Sequence, residues 1–336
     1  MKTKFAAIHL VAMIAGMLLA GVFAFSQTGP AKPAGKTYAP PHTPEGQPDF
    51  QGIWSNAILT PLERPADLKD KAFFTKEEAA AYVKRTIEQN NKDSRAGAGT
   101  EADVARAYND FWWDRGTSIA KTLRTSLITD PPDGRIPALT PAAQKRAEQV
   151  KEARRIHPAD GPEDRPVGER CILLNSAGPP MMPSAYNNNF QIFQSANYVA
   201  ILSEMMHDVR IIPVDGRTHL ASNLRSWLGD SRGRWDHNTL IVETTNFNGK
   251  ISFRGSDENL RVVERFTRTA PDQILYEFRI EDPTAFTAPW SAEVPLKATT
   301  GPIYEYACHE GNYGMVGLLS GARAEDGNKA AQSSGK

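Results

Sequence analysis

The feature that most constrains the fold is a series of short apolar runs in the second half of the chain, from residue 182 to residue 321. In the clearest run, 273–280, Ile274 and Tyr276 fall on one face of an extended strand, and charged residues fall on the other. Short segments rich in turn-forming residues, such as 270–272, separate these runs. The pattern predicts consecutive antiparallel strands joined by short turns.

About eight such runs occur, and closing their sheet would hide strand edges that otherwise promote aggregation. We therefore expect an antiparallel β-barrel or a strongly curved sheet, lipocalin-like or calycin-like in character, that encloses a small ligand. The predicted strands are 191–194, 198–203, 209–214, a hairpin over 235–244, 260–268, 273–280, 292–296 and 303–307.

Helix signals are concentrated in the first half of the chain. Thr75 and Glu78 have the spacing of a capping box, and Pro141 follows a threonine at the start of another predicted helix. Between them, Phe111 and Trp112 fall on one face of a predicted helix and are expected in the core. The fold class predicted is α+β, with a helical N-terminal part packed on the barrel.

The amino end has the three-part pattern of a secretory signal, with Lys2 and Lys4, an apolar run and small residues at Ala24 and Ser26. A membrane anchor is the alternative, since the apolar run approaches the ~20 residues of a span. We expect cleavage, a periplasmic or extracellular location and no stable membrane insertion afterwards. The predicted parts are a signal peptide over 1–26, a flexible tether over 27–47, a helical and irregular part over 48–180, the barrel over 181–322 and a disordered tail over 323–336.

Charge and cysteine content narrow the partners. The chain has 39 basic and 39 acidic residues, so no overall field attracts nucleic acid or an anionic membrane, and neither partner is expected. Its two cysteines, Cys171 and Cys308, would form one disulfide in an oxidising compartment, and a reactive thiol is the alternative. A small molecule remains the expected partner, and the oligomeric state stays open.

Four motifs carry a specific pattern: RTSLITDPPDGRIP at 124–137, EMMHDVRIIPVDG at 204–216, WLGDSRGRW at 227–235 and YEYACHEGNYG at 304–314. Together they resemble a family of exported bacterial proteins of unassigned activity. The resemblance implies export, and it brings no reaction or catalytic residue with it.

Candidate site residues gather at the end of the strand series. His309 and Glu310 are the predicted proton-handling pair, with His207 as a second candidate, because histidine titrates near neutral pH. His309 could instead only satisfy backbone groups at a strand end. Arg210 is the predicted anchor for an anionic group. The predicted substrate-binding residues are Arg210, Asp208, Tyr186, Asn188, Tyr306, Tyr313 and Arg232.

Several common site types lack their sequence signatures. The histidines at 157, 207, 219, 237 and 309 show no metal-binding spacing, and phosphate loops and nucleophile elbows are missing, so we predict no metal and no cofactor. The favoured function is an exported enzyme, of lyase or hydrolase type, that performs non-covalent acid/base chemistry on a small aromatic or sugar-derived molecule. The alternative is a periplasmic small-molecule binding or carrier protein without catalysis.

Overall fold

The computed structural model describes residues 38–93, 99–101, 109–174 and 176–334, and it is dominated by one antiparallel sheet of ten strands. Nine strands follow one another in the order β5-β4-β3-β1-β10-β9-β8-β7-β6, and β2 pairs with β10. The strands are β1 (Gly52–Ser55), β2 (Ile128–Asp130), β3 (Asn189–Gln194), β4 (Tyr198–Ser203), β5 (Val209–Pro213), β6 (Asp230–Asp236), β7 (Thr239–Thr245), β8 (Arg261–Ala270), β9 (Gln273–Glu281) and β10 (Trp290–Thr299).

The predicted β-barrel is wrong, because the sheet does not close. In the described residues no ladder joins its two end strands, β5 and β6. Side chains meet there instead: a Cβ added to Gly233 of β6 would lie 2.8 Å from Val214 and 3.0 Å from Ile212. Because Gly233 has no side chain, β6 can lie close to Val214 and Ile212. Apolar packing therefore covers these two strand edges, which a closed barrel would have joined by hydrogen bonds.

The predicted helical N-terminal part is also wrong. The described α-helices are α1 (Lys76–Asn90), α2 (Pro141–Ile156) and α3 (Tyr313–Ser334), and the longest of them lies at the C-terminal end. Phe111 and Trp112 form a short 3-10 turn with side chains 83% and 61% exposed, so they are not a core face. The remainder of that predicted helix, 102–108, lies outside the described residues. Irregular, proline-rich chain connects the elements of this half.

Local signals at two helix starts are confirmed. The Glu78 backbone N–H donates to the Thr75 hydroxyl oxygen at 3.2 Å, and the Thr75 N–H donates to the Glu78 carboxylate at 2.8 Å. Helix α2 begins at Pro141, as expected. None of the described helices is both long and apolar enough to cross a membrane.

Two segments differ from the predicted strand and tail. Residues 303–307 do not form a strand, and α3 spans the predicted boundary at 322. Conversely, β1 lies in the middle of the sheet between β3 and β10, although no strand is predicted there from the sequence. Part of the predicted tether is ordered against the fold, since Thr43 is buried and His42 forms an isolated antiparallel β-bridge with Pro48. The signal peptide region, 1–26, lies outside the described residues.

The inner face of the sheet forms the hydrophobic core. Alternate residues of β9 point inward, and Ile274, Tyr276 and Phe278 are at most 2% exposed. Aromatic rings pack there at typical contact distances, for example 4.8 Å between the centroids of Phe266 and Tyr276 and 5.7 Å between those of Phe278 and Trp290. Side chains from the strands therefore fill the interior that the sequence had suggested as a ligand lumen.

One charged network lies inside this core. Arg210 on β5 donates two hydrogen bonds to Glu264 on β8, at 3.0 and 2.8 Å, and the Tyr276 hydroxyl donates to the same carboxylate at 2.8 Å. The Met181 N–H donates to the Tyr276 oxygen at 3.0 Å. Burial raises the pKa of Tyr276, so its phenol stays protonated and can donate. The network links β5 at one end of the sheet to β8 and β9.

We predict that Arg210→Met lowers the free energy of unfolding by about 3–5 kcal/mol, because the Glu264 carboxylate is then buried without its partner. Urea denaturation measures this change. The control is Arg217→Met, which breaks a surface pair with Asp215 and should change stability far less, because water screens such pairs. Equal losses in the two variants would contradict the structural role of the buried pair.

Candidate functional site

An open cleft of about 340 Å³ lies outside the core, between helix α1 and the loops at 58–62 and 182–185. Its wall includes apolar side chains such as Leu62 and Met182 together with polar ones such as Thr86 and Asn90. A volume of this size is at the lower end of the range for small-molecule sites, which are usually apolar with a few polar groups. The cleft is therefore the candidate functional site.

Backbone hydrogen bonds fix the loop at 58–62. The Leu59 N–H donates to the Ser118 carbonyl at 2.9 Å, and the Thr60 hydroxyl accepts from the Ala120 N–H at 2.9 Å. The Leu127 N–H donates to the Pro61 carbonyl at 2.8 Å. This wall is tied to the segment that leads into β2, so it is preformed.

Two arginines line the cleft, Arg115 and Arg254. The Arg115 guanidinium lies over the Trp113 ring, 4.1 Å from its centroid. Gly116 holds this segment close to the loop at 58–62, since an added Cβ would lie 2.7 Å from the Ala57 carbonyl atoms and φ is +74°. These contacts place the Arg115 charge beside an apolar wall.

Arg254 stands on a tight turn between β7 and β8. Its φ is +58°, and Phe253 and Ser256 close the turn with reciprocal backbone hydrogen bonds of 2.8 and 3.0 Å. The Ser252 hydroxyl accepts from the Gly255 N–H at 3.1 Å. The Ser256 side chain also donates to the buried Asp282 carboxylate. The turn is thus anchored to the core while the Arg254 side chain is exposed.

Asn188, a predicted substrate-binding residue, lies behind the cleft wall and is 1% exposed. Its side-chain oxygen accepts from the Ser184 N–H at 2.7 Å, and its amide donates to the carbonyls of Ser184 and Asp114. The Asp114 N–H in turn donates to the Ala185 carbonyl at 2.8 Å. Asn188 therefore joins the chain before Arg115 to the opposite wall, and its predicted substrate-binding role stays a prediction.

Tyr186 and Tyr306, two predicted substrate-binding residues, are brought together by the fold. Their hydroxyls interact, and burial together with Tyr186 raises the pKa of Tyr306. Tyr186 also packs edge-to-face on Trp113, with centroids 6.0 Å apart. Through Trp113 these tyrosines support the ring on which Arg115 lies.

His309 and Glu310, the predicted catalytic pair, stand on an exposed turn before α3, because the expected strand at 303–307 does not form. Among the described residues, no hydrogen bond or ion pair reaches either side chain, and neither lines the cleft. Tyr313 begins α3 and is 81% exposed. The catalytic role of this pair stays a prediction.

The predicted disulfide is confirmed. Cys171 and Cys308 are bonded, with Cα atoms 5.7 Å apart and a sequence separation of 137 residues. The Asn312 amide donates to the Glu169 carbonyl at 2.9 Å beside this bridge. A loop of this length stabilises the fold by roughly 4–5 kcal/mol in the chain-entropy description. The bridge fixes the start of α3 to the loop before β3.

His207 and Asp208 occupy the turn between β4 and β5, where His207 has φ +39° and is exposed. Burial raises the pKa of Asp208 to about 6, and the neighbouring His207 charge opposes this shift. One buried oxygen of Asp208 has no hydrogen-bond partner among the described residues. The carboxylate form is therefore poorly stabilised at neutral pH.

The raised pKa gives Asp208 a defined pH dependence. Protonated Asp208 adds to the free energy of unfolding. This contribution is complete below about pH 4 and is lost as the pH rises through about 6. We predict that Asp208→Asn raises the free energy of unfolding at pH 7.5 by about 1–2 kcal/mol and has little effect at pH 4. Denaturation curves at the two pH values test this. The control is Asp70→Asn, whose side chain is 88% exposed. If Asp208→Asn changed stability equally at both pH values, the raised pKa of Asp208 would be contradicted.

Arg210 and Arg232 are both engaged by the protein. Arg210 is 6% exposed and bound to Glu264 in the core, away from a surface ligand. The Arg232 guanidinium lies 2.6 Å from the Asp230 carboxylate. The same carboxylate accepts a hydrogen bond from His219 at 2.8 Å, and this histidine contact was not predicted from the sequence. These pairs explain both arginines without a ligand.

The sequence prediction missed both cleft arginines because it concentrated on the second half of the chain. The sequence Trp113-Asp-Arg-Gly116 does contain a signal for Arg115, because an arginine lies two residues after a tryptophan and directly before a glycine. Nothing comparable identifies Arg254. In the described ranges no group of three or more His, Cys, Asp or Glu side chains is placed to hold a metal ion.

Comparisons with known proteins give no family assignment. No protein-family model, curated protein or solved structure matches this chain.

Proposed function

We propose that this protein is an exported protein that binds a small organic molecule in the cleft beside α1. The observation that carries the proposal is the preformed cleft of about 340 Å³, whose wall combines apolar side chains with hydroxyl, amide and guanidinium groups. Export is supported by the Cys171–Cys308 disulfide, since such bonds persist in oxidising compartments.

Binding without catalysis fits this cleft better than acid/base chemistry. Among the described residues that line it there is no histidine, cysteine, lysine, aspartate or glutamate. These are the side chains that most often transfer protons in active sites. The cleft instead offers hydroxyl, amide and guanidinium groups, which orient a ligand.

The proposal is tested by filling the cleft. Thr86 on α1 lines the cleft, so Thr86→Trp should occupy ligand space, whereas Gln89→Trp on the same helix adds an indole outside it. The purified proteins are incubated with a mixture of periplasmic small molecules, and retained compounds are identified by mass spectrometry. We expect Thr86→Trp to lower retention of the bound compound about tenfold or more and Gln89→Trp to leave it unchanged.

The same incubation separates binding from catalysis. A compound that is consumed by the wild-type protein and spared by His309→Gln would contradict the carrier function and favour the predicted acid/base enzyme. Equal retention by Thr86→Trp and Gln89→Trp would place the ligand outside this cleft.

A further inference from the structure

We infer that the ligand of the cleft is a small organic carboxylate with an apolar body, an inference that rests on the proposed binding function. The cleft combines two guanidinium groups, Arg115 and Arg254, with an apolar wall. The guanidinium fork matches a carboxylate in shape and charge, and the apolar wall suits a ring or short chain.

The positive charge of the two cleft arginines is not neutralised by acidic side chains among the described lining residues. Neither Arg115 nor Arg254 has an ion pair or side-chain hydrogen bond with another described residue, and the Arg115 guanidinium stacks on the Trp113 ring. Elsewhere, for example at Arg210 and Arg261, guanidiniums are paired with carboxylates.

Placement of Arg115 indicates a built binding group. The guanidinium is half-buried and stacked on Trp113, whose ring is packed against Tyr186. Asn188 holds the preceding carbonyl, so the backbone of Arg115 is fixed before a ligand arrives. A preorganised cation beside an apolar surface binds an organic anion without the cost of ordering a flexible side chain. Arg254, exposed on its turn, supplies a second positive charge near the opening.

Apolar residues determine the rest of the ligand. Ile58, Leu59 and Leu62 of one loop and Met182 with Pro183 of the other form an apolar surface for a ring or an aliphatic chain. An aromatic or aliphatic carboxylate satisfies both the apolar wall and the two arginines.

The test compares two probes of the same shape, 2-naphthoate and its neutral analogue 2-naphthamide, by isothermal titration calorimetry on the full mature protein. We expect 2-naphthoate to bind about tenfold tighter, because charge-assisted hydrogen bonds to guanidinium groups form only with the anion. Arg115→Gln and Arg254→Gln should each remove much of this preference. Arg154→Gln, which removes one exposed cation of α2 outside the cleft, should preserve it.

The outcomes distinguish the ligand class from the site. If both probes bind equally and Thr86→Trp abolishes both, the cleft binds ligands and the carboxylate inference is overturned. If neither probe binds, or if binding is unaffected by Thr86→Trp, the cleft itself fails as the site and both proposals fall. A preference for 2-naphthoate that is lost equally in Arg154→Gln would show a general charge effect and overturn the inference.

Discussion

The packed aromatic interior of the sheet is the constraint on which the rest of the structure depends. Tyr276, Phe278 and Trp290 fill the space between the curled strands, and the Arg210–Glu264 pair ties a sheet end to the strands beneath it. Because the interior is filled, the sheet acts as a support for the loops that line the proposed ligand cleft. Binding sites on loops carried by a rigid sheet are common for this reason.

The cleft follows from that support. Loop 58–62 continues from β1 in the middle of the sheet, and Leu127 beside it leads into β2, so both are held by strand pairing. Asn188 precedes β3 and connects the remaining wall to Asp114. Three irregular segments are thereby positioned by neighbouring strands, which gives an otherwise irregular surface a defined shape. We propose that the positive charges of Arg115 and Arg254 give this cleft its preference for anions.

Local patterns in the sequence predicted local structure well. The alternation around Tyr276 identified a strand, and Thr75 with Glu78 identified a helix start, because both patterns depend on neighbouring residues only. The disulfide was predictable from two cysteines and the expected compartment. Sheet closure was not, since an alternating run shows which face is apolar and does not show whether its edge finds a partner.

The candidate site was largely hidden in the sequence for the same reason. Arg115 and Arg254 are far apart in the chain, and only the folded sheet brings them to one cleft. His309 was conspicuous in its motif, yet its position depends on whether 303–307 pairs with another strand, and it does not. Asn188 is predicted as a site residue because its amide lies in a run of hydrogen-bonding side chains, whereas its buried position ties the loops together.

The most direct test of a ligand site outside the core uses two consecutive methionines. Met182 lines the cleft, whereas Met181 is 1% exposed in the core. In a titration of methyl-labelled protein with 2-naphthoate, followed by NMR and assigned with Met182→Leu, the account predicts that the Met182 methyl signal shifts and saturates while Met181 and Met205 stay in place. Shifts of Met181 and Met205 with an unchanged Met182 signal would place the ligand inside the sheet and contradict the account.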